Sequence, residues 1–250
     1  MQLAGAVAVV TGAGHGIGRA TAHALARQGA TVIATGPSEA ELTSLVQEIG
    51  GSYLLVDVRD PAHADDVIKH AVERHGGLDV VVANAGIGHA GPVAEMTAER
   101  ICDLVDINVR APLLITRAAL PGMLARRRGA IVLVSSIAGR VPVTGEAVYS
   151  ATKAAIEAFA EPLREELRGT GVTISTVAPG VVASHFFDQR GVPYQRRYPR
   201  PLPPERIATA IVHAAQTGTA QTVVPRWLAL PAHVQGLAPG VFRLLARRFG

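Results

Sequence analysis

The chain has 250 residues, 48% of them hydrophobic, which is enough to bury a large core in one or at most two domains. Its net charge of +4 is a small excess of 24 cationic over 20 acidic side chains, and only 4% of residues are aromatic, so the basic stripe and stacking platforms of a nucleic-acid binder are missing. Cys102 is the sole cysteine, which excludes an internal disulfide and points to a reducing, cytoplasmic setting. No basic region precedes the apolar N-terminal stretch, so no signal peptide is expected, and no run of about 18 apolar residues marks a membrane span.

In chain order, strands are expected at 7–11, 31–35, 52–57, 78–83, 130–135, 172–177 and 221–224. Most of these runs are almost continuously apolar, as strands covered on both faces are. Amphipathic helical patterns fall between them at about 16–28, 38–49, 61–75, 97–127, 151–169 and 205–217. The basic run Arg126-Arg127-Arg128 stands where the fourth of these helices ends, a placement the helix dipole favours. Strands alternating with helices give a parallel sheet with right-handed crossovers. No composition break divides the chain, so residues 1–250 read as one doubly wound α/β domain.

Two local patterns carry chemistry. The first strand runs into Thr11-Gly12-Ala13-Gly14-His15-Gly16-Ile17-Gly18 and then a helix, the context of a phosphate-binding glycine loop. There Gly12 permits the tight turn, Gly16 lets backbone approach a pyrophosphate, and Gly18 lets the helix pack on the sheet. The second pattern is a lysine. Of the 24 cations only Lys69 and Lys153 are not arginine, and Lys153 follows Tyr149 by four positions. On a helix that spacing puts ammonium and phenol on one face, where the cation lowers the phenol's pKa for acid/base work near neutral pH. Spacing alone fits an ordinary surface pair equally well, and a lone glycine turn can be structural; their occurrence in one alternating chain favours a site.

With these motifs in order, the sequence resembles the short-chain dehydrogenase/reductase superfamily in its short single-domain form, which carries T-G-x-x-x-G-x-G and Y-x-x-x-K. Asp57-Val58 resembles the family's adenine-contacting pair, and Asn84-Ala85-Gly86 its N-A-G element beside the cofactor. Pro179-Gly180-Val181-Val182-Ala183-Ser184 matches P-G-x-x-x-T, with serine for threonine. Asn108 and Ser136 match the catalytic asparagine and serine. The match covers about residues 5–225 and implies a Rossmann-type sheet of about seven strands that binds NAD(P)(H) and interconverts a carbonyl and a secondary alcohol.

The resemblance also implies roles. Tyr149 is the acid/base, Lys153 lowers its pKa and reaches the nicotinamide ribose, and Ser136 donates to the substrate oxygen. Asn108 would hold a water leading from Lys153 to solvent, and Ser184 would offer its hydroxyl to the carboxamide. Each has a plainer alternative: Asn108 can cap a turn and Ser184 a helix. The family's serine-to-tyrosine interval selects Ser136 over Ser135, and strand alternation lets only one of the two neighbours reach Tyr149. Cofactor contacts are expected from Gly12, Gly14, His15, Gly16, Ile17, Gly18, Asp57, Val58, Asn84, Ala85, Gly86, Pro179, Gly180, Val182 and Ser184, together with Tyr149 and Lys153.

At the end of the second strand Gly36 replaces the acid that NAD-preferring members use on the ribose. The arginine of many NADP-preferring relatives is Pro37 here, while His15 and Ser38 can serve a phosphate. The missing acid outweighs the missing arginine, so NADP(H) is favoured and NAD(H) stays open. His15 equally fits a solvated loop histidine. The long segment 185–204, with His185, Phe186, Phe187, Asp188 and Tyr194, reads as a lid. With Ile87, Ile137, Val141, Val143 and Val181 it suits an apolar ketone or secondary alcohol; Arg190, Arg196 and Arg197 could instead attract an anion. His89 and Glu146 are the polar candidates for selectivity, or simply rim residues.

The C-terminal extension, 226–250, departs from the family. It can pack over the pocket or a partner subunit, or its apolar, basic-ended tail can lie on an acidic membrane; its prolines and glycines favour packing. A catalytically silent nicotinamide-binding regulator or scaffold is the alternative to an enzyme, opposed by the complete Asn108/Ser136/Tyr149/Lys153 set. A hydrolase lacks its G-x-S-x-G elbow. Relatives pair their long helices, so a homodimer or homotetramer is expected.

Overall fold

A computed structural model describes residues 1–184, 186–192, 194, 199–240 and 242, without the side chain of Asp188. The described chain forms β1 (Val7–Thr11), α1 (Gly16–Arg27), β2 (Thr31–Gly36), α2 (Glu39–Ile49), β3 (Ser52–Leu55), α3 (His63–His75), β4 (Val80–Ala83), α4 (Ala98–Val105), α5 (Ala111–Ala125), β5 (Gly129–Val134), α6 (Ala147–Glu166), β6 (Val172–Pro179), α7 (Phe186–Gln189), α8 (Pro204–Thr217), β7 (Gln221–Val224) and α9 (Ala229–Leu237). The strands form a seven-stranded parallel sheet in the order β3-β2-β1-β4-β5-β6-β7. This is the doubly wound, Rossmann-type α/β architecture expected.

Period-2 alternation explains the near-continuous apolarity of the strands. Val10, Val82 and Val132 point to one face and join a core closed by α1, α2 and α8. Val9, Val81 and Ile131 point to the other and meet α3, α5 and α6. Both cores are needed, because a parallel sheet has no wet face.

Three differences from the sequence reading bear on the site, each for a physical reason. β3 stops at Leu55 rather than 57, because the Asp57 carboxylate turns back to accept from the Arg59 backbone N–H at 2.9 Å. The segment read as one helix over 97–127 carries a five-residue π turn, Asp106–Arg110, between α4 and α5. Its wider turn places Asn108 inside, at 1% exposure, and such bulges recur at functional sites. Finally, α6 begins at Ala147, not 151, so Tyr149 and Lys153 both lie on a formed helix.

The strand order reverses at β1, with β2 on one side and β4 on the other, so a crevice opens at their carboxyl ends. Thr11 and Asn84 bracket it. The Thr11 Oγ1 accepts from the backbone N–H groups of Asn84 (3.0 Å) and Ala85 (2.9 Å), and Asn84 Nδ2 donates to Thr11 O at 2.9 Å. Gly18 brings α1 onto this bracket: a Cβ there would lie 2.0 Å from Gly12 O and 2.7 Å from Asn84 Nδ2. Because the first neighbour is backbone, Gly18→Ala must displace α1 or the loop. Gly18→Ala should therefore lose about 1–3 kcal/mol in urea unfolding, with weakened dinucleotide binding; unchanged stability would show that α1 can slide freely.

Candidate active site

One cavity of about 990 Å³ runs along the crevice from the β1 loop to α7. Gly12, His15, Gly16 and Ile17 line its first end, with Gly36 and Pro37 from the end of β2 beside Asp57, Val58 and Arg59. Asn84, Ala85 and Gly86 form the floor, and Pro179, Gly180, Val182 and Ser184 the far wall. Gly12 and Gly16 adopt φ of +63° and +55°, backbone a side chain would strain, and Gly16 comes close to Ser184. The loop therefore presents bare backbone to the cavity beside the start of α1, a cradle suited to a pyrophosphate.

Four expected contacts stand elsewhere. Gly14 faces α2, where a Cβ would meet Glu41 Oε2 at 2.2 Å, so it accommodates a helix rather than lining the cavity. Gly18 serves the α1 packing just described. Ser38 caps α2, its Oγ accepting from Glu41 N at 3.4 Å, and does not reach the lining. His89 is also outside it, because the chain turns so that Ala90 and Gly91 face inward instead.

The Asp57 carboxylate does not face the cavity unaccompanied. Arg59 grips it through Nε (3.1 and 3.0 Å) and Nη2 (2.7 Å), which holds its pKa below the usual carboxylate range. Arg59 was not singled out in the sequence; the signal was its position two residues beyond Asp57, the reach of a local turn.

Across the crevice, Tyr149 and Lys153 project from α6 and are 7% and 5% exposed. Ser136 stands just beyond β5, on the cap of a short turn, where its Oγ accepts from Ala138 N at 3.2 Å and its hydroxyl draws the Tyr149 pKa down. Ser135 turns the other way and donates to Lys153 O at 3.2 Å, so the two serines do diverge, although through a turn rather than a strand. Asn108 accepts from Ile87 N and donates to Ile87 O, both at 2.9 Å, and also donates to Thr152 Oγ1 at 3.1 Å. Gly86 lies between Asn108 and Lys153: a Cβ on it would be 3.2 Å from Asn108 Oδ1 and 3.3 Å from Lys153 Nζ.

The electrostatics differ from expectation. Lys153 Nζ donates to Val134 O at 3.0 Å and lies 5.9 Å from the Tyr149 ring centre. Burial pushes the phenol well above its ordinary range; the Ser136 hydrogen bond pulls it down, Glu146 raises it and Arg190 lowers it. Burial also lowers the lysine, to about 8. Low dielectric thus disfavours both charged forms, and the ammonium does not overcome it for the tyrosine.

The other half of the cavity is walled by Ile87, Ile137, Val141, Val143, Val181, Phe186, Phe187 and Tyr194. Phe186 packs 5.5 Å from the Tyr149 ring and against Gly88, and Phe187 packs 5.3 Å from Tyr194. Arg190 pairs with Glu146, both lining the cavity. Arg190 is therefore not an open anion site. His185, Arg196, Arg197 and the Asp188 side chain lie outside the described residues. Leu228, unremarked in the sequence, also lines the cavity, and contact with Gly180 brings the start of the C-terminal extension over its wall. No helix among the described residues is long and apolar enough to cross a membrane.

A dinucleotide cradle at the switch point and a Tyr–Lys pair opposite it make a nicotinamide-dependent oxidoreductase. Residues 6–192 match the family model for short chain dehydrogenases, and the chain belongs to that family. It is 36% identical over 184 residues to a 3-oxoacyl-(acyl-carrier-protein) reductase of Vibrio cholerae, covering 73% of this chain and 75% of that protein. A short-chain dehydrogenase of Sphingobium yanoikuyae in complex with NADPH is similar at TM-score 0.81 and 25% identity, over 94% of this chain and 95% of that one. A Burkholderia phymatum short-chain dehydrogenase/reductase in complex with NAD reaches 0.86 at 24% identity over 94% of both, a likeness of fold.

The buried lysine makes stability depend on pH. Below about pH 8 it is protonated in both states and the folded state bears its desolvation. Between about 8 and the ordinary value of 10.5 the unfolded chain binds more protons, so stability rises with pH, by up to about 3 kcal/mol. Tyr149 acts in the opposite direction above its ordinary value of 10, since burial keeps its proton on in the folded state. Urea midpoints should therefore favour the wild type increasingly over Lys153→Met from pH 8 to 10; a parallel pair of curves would contradict the lysine's burial.

Proposed function

We propose that the chain reduces an apolar ketone to a secondary alcohol with NADP(H), using Tyr149 as acid, Lys153 and Asn108 behind it, and Ser136 beside the substrate oxygen. The observation that carries the reading is the convergence of Ser136, Tyr149 and Lys153 on one cavity lining beside its apolar walls. The cofactor, when bound, supplies the hydride to the carbonyl carbon.

The cradle of Gly12, Gly16 and the α1 N-terminus would hold its pyrophosphate, and Asn84–Gly86 with Pro179, Gly180, Val182 and Ser184 its nicotinamide half. The absence of an acid at Gly36 supports a phosphorylated ribose, and Arg59 already balances the carboxylate of Asp57. His15 lines the same end.

Tyr149 carries its proton at neutral pH and delivers it to the forming alkoxide, which is the stronger base. Ser136 donates a hydrogen bond to the same oxygen, which stabilises its developing charge. Lys153, with a pKa near the working pH, restores the tyrosine's proton. Asn108 fixes Ile87 and Thr152 around the lysine, which supports a route for that proton toward solvent.

An apolar groove lined by Leu113, Leu120, Leu124, Phe159 and Leu163 runs along α5 and α6 and supports pairing of two chains there. The contact of Leu228 with Gly180 favours the packing role for the start of the C-terminal extension over the membrane role.

Tyr149→Phe should keep NADPH binding, measured by titration, and lose about 10²–10⁴-fold in ketone turnover; full activity would refute the acid assignment. Lys153→Arg should lose most activity, because a planar guanidinium cannot replace an ammonium directed at Val134 O. The wild type's reductive kcat/KM should fall above about pH 8 as the lysine loses its proton. Tighter binding of NADH than NADPH would reverse the cofactor preference.

A further inference from the structure

The substrate half of the cavity holds a charge pair that the reduction chemistry does not use. Glu146 stands at the turn before α6 and Arg190 just after α7, and Arg190 Nη1 donates to Glu146 Oε1. Their side chains are 12% and 11% exposed. The guanidinium is held by Nε, which donates to Val192 O at 2.8 Å, and by the Phe187 ring, whose centre is 4.7 Å from Cζ; the backbone is held too, since Ala90 N donates to the Arg190 carbonyl O at 3.0 Å. This arginine is built into the wall rather than swinging in solvent.

Apolar groups surround the pair, including Ile87, Val143, Phe186 and Phe187. Lys153, the other described cation in this half, is turned to Val134 O. An incoming carboxylate would have to compete with a fixed carboxylate for Arg190 and lie beside that like charge in a mostly buried place, which is strongly unfavourable. A neutral ketone disturbs neither charge.

We propose that Glu146 is a specificity-determining residue: by masking Arg190 it makes the pocket accept neutral carbonyl compounds and reject carboxylated ones. The proposal rests on the ketone-reduction reading and names its substrate class more narrowly. Glu146→Gln keeps the side chain's length and one acceptor oxygen but removes the charge. It leaves Arg190 as an uncompensated cation whose fork matches a carboxylate in two parallel hydrogen bonds.

The test compares a 3-oxo acid with its own methyl ester as substrates for the wild type, Glu146→Gln and Glu146→Gln/Arg190→Gln. The readout is the ratio of kcat/KM for acid to ester, which cancels any effect of position 146 on Tyr149 common to both. Glu146→Gln should raise this ratio about tenfold or more, and the double variant should return it toward the wild-type value. An unchanged ratio in Glu146→Gln, or a rise that persists without Arg190, overturns the proposal.

Calorimetric titration of all three proteins with 3-phenylpropanoate and its methyl ester reads the same preference without turnover. Failure of every protein to reduce either oxo compound would count against the ketone-reduction reading, while the acid-to-ester affinity ratio would still decide whether Glu146 masks Arg190. A wild type that binds the acid as tightly as the ester overturns the masking.

Discussion

Thr11 and Asn84 tie the carboxyl end of β1 to that of β4, and the site is laid out around this bracket. These neighbouring strands diverge into loops at the point where the strand order reverses. One threonine hydroxyl accepts two backbone N–H groups, and one asparagine amide satisfies the Thr11 carbonyl. Without those bonds the loops would hold unpaired buried polar groups where the crevice must stay open. The glycine loop rests on one side of the bracket and Gly86 on the other. Gly86 in turn admits Asn108 and Lys153 to the same small volume.

Burial is the second constraint, and it acts on Tyr149 and Lys153 in a way that spacing cannot reveal. The i, i+4 relation put Tyr149 and Lys153 on one face and suggested that the ammonium activates the phenol. In the folded chain the lysine is directed at a backbone carbonyl, and desolvation dominates both groups. The result is a phenol that holds its proton beside a lysine whose pKa is lowered to about 8. The same reasoning extends to Glu146 and Arg190, two charges that meet in the cavity wall and pair there.

Much of the scaffold was legible because its causes are local. Near-continuous apolar runs, the glycine spacing and the Tyr–Lys interval are each written in consecutive residues, and the sheet and the crevice follow from them. The misplacements share a different cause. Gly14, Ser38 and His89 stand within the right segments but point away from the cavity, because α2 packing, a helix cap and a loop turn claim them. The π turn was invisible because its sequence is ordinary helix; only the inward demand on Asn108 distinguishes it.

The sequence by itself determined the alternating α/β chain, the phosphate cradle and the residue types gathered for acid/base chemistry, since these depend on periodicity and on short, fixed intervals. Tertiary structure alone decided which groups are charged and which are masked. Arg59 is 2 residues from Asp57, but Glu146 and Arg190 are 44 apart, and Ser136, Tyr149 and Arg190 meet only where separate elements converge. Protonation depends on burial, and burial is a property of the packed chain rather than of any one segment of it.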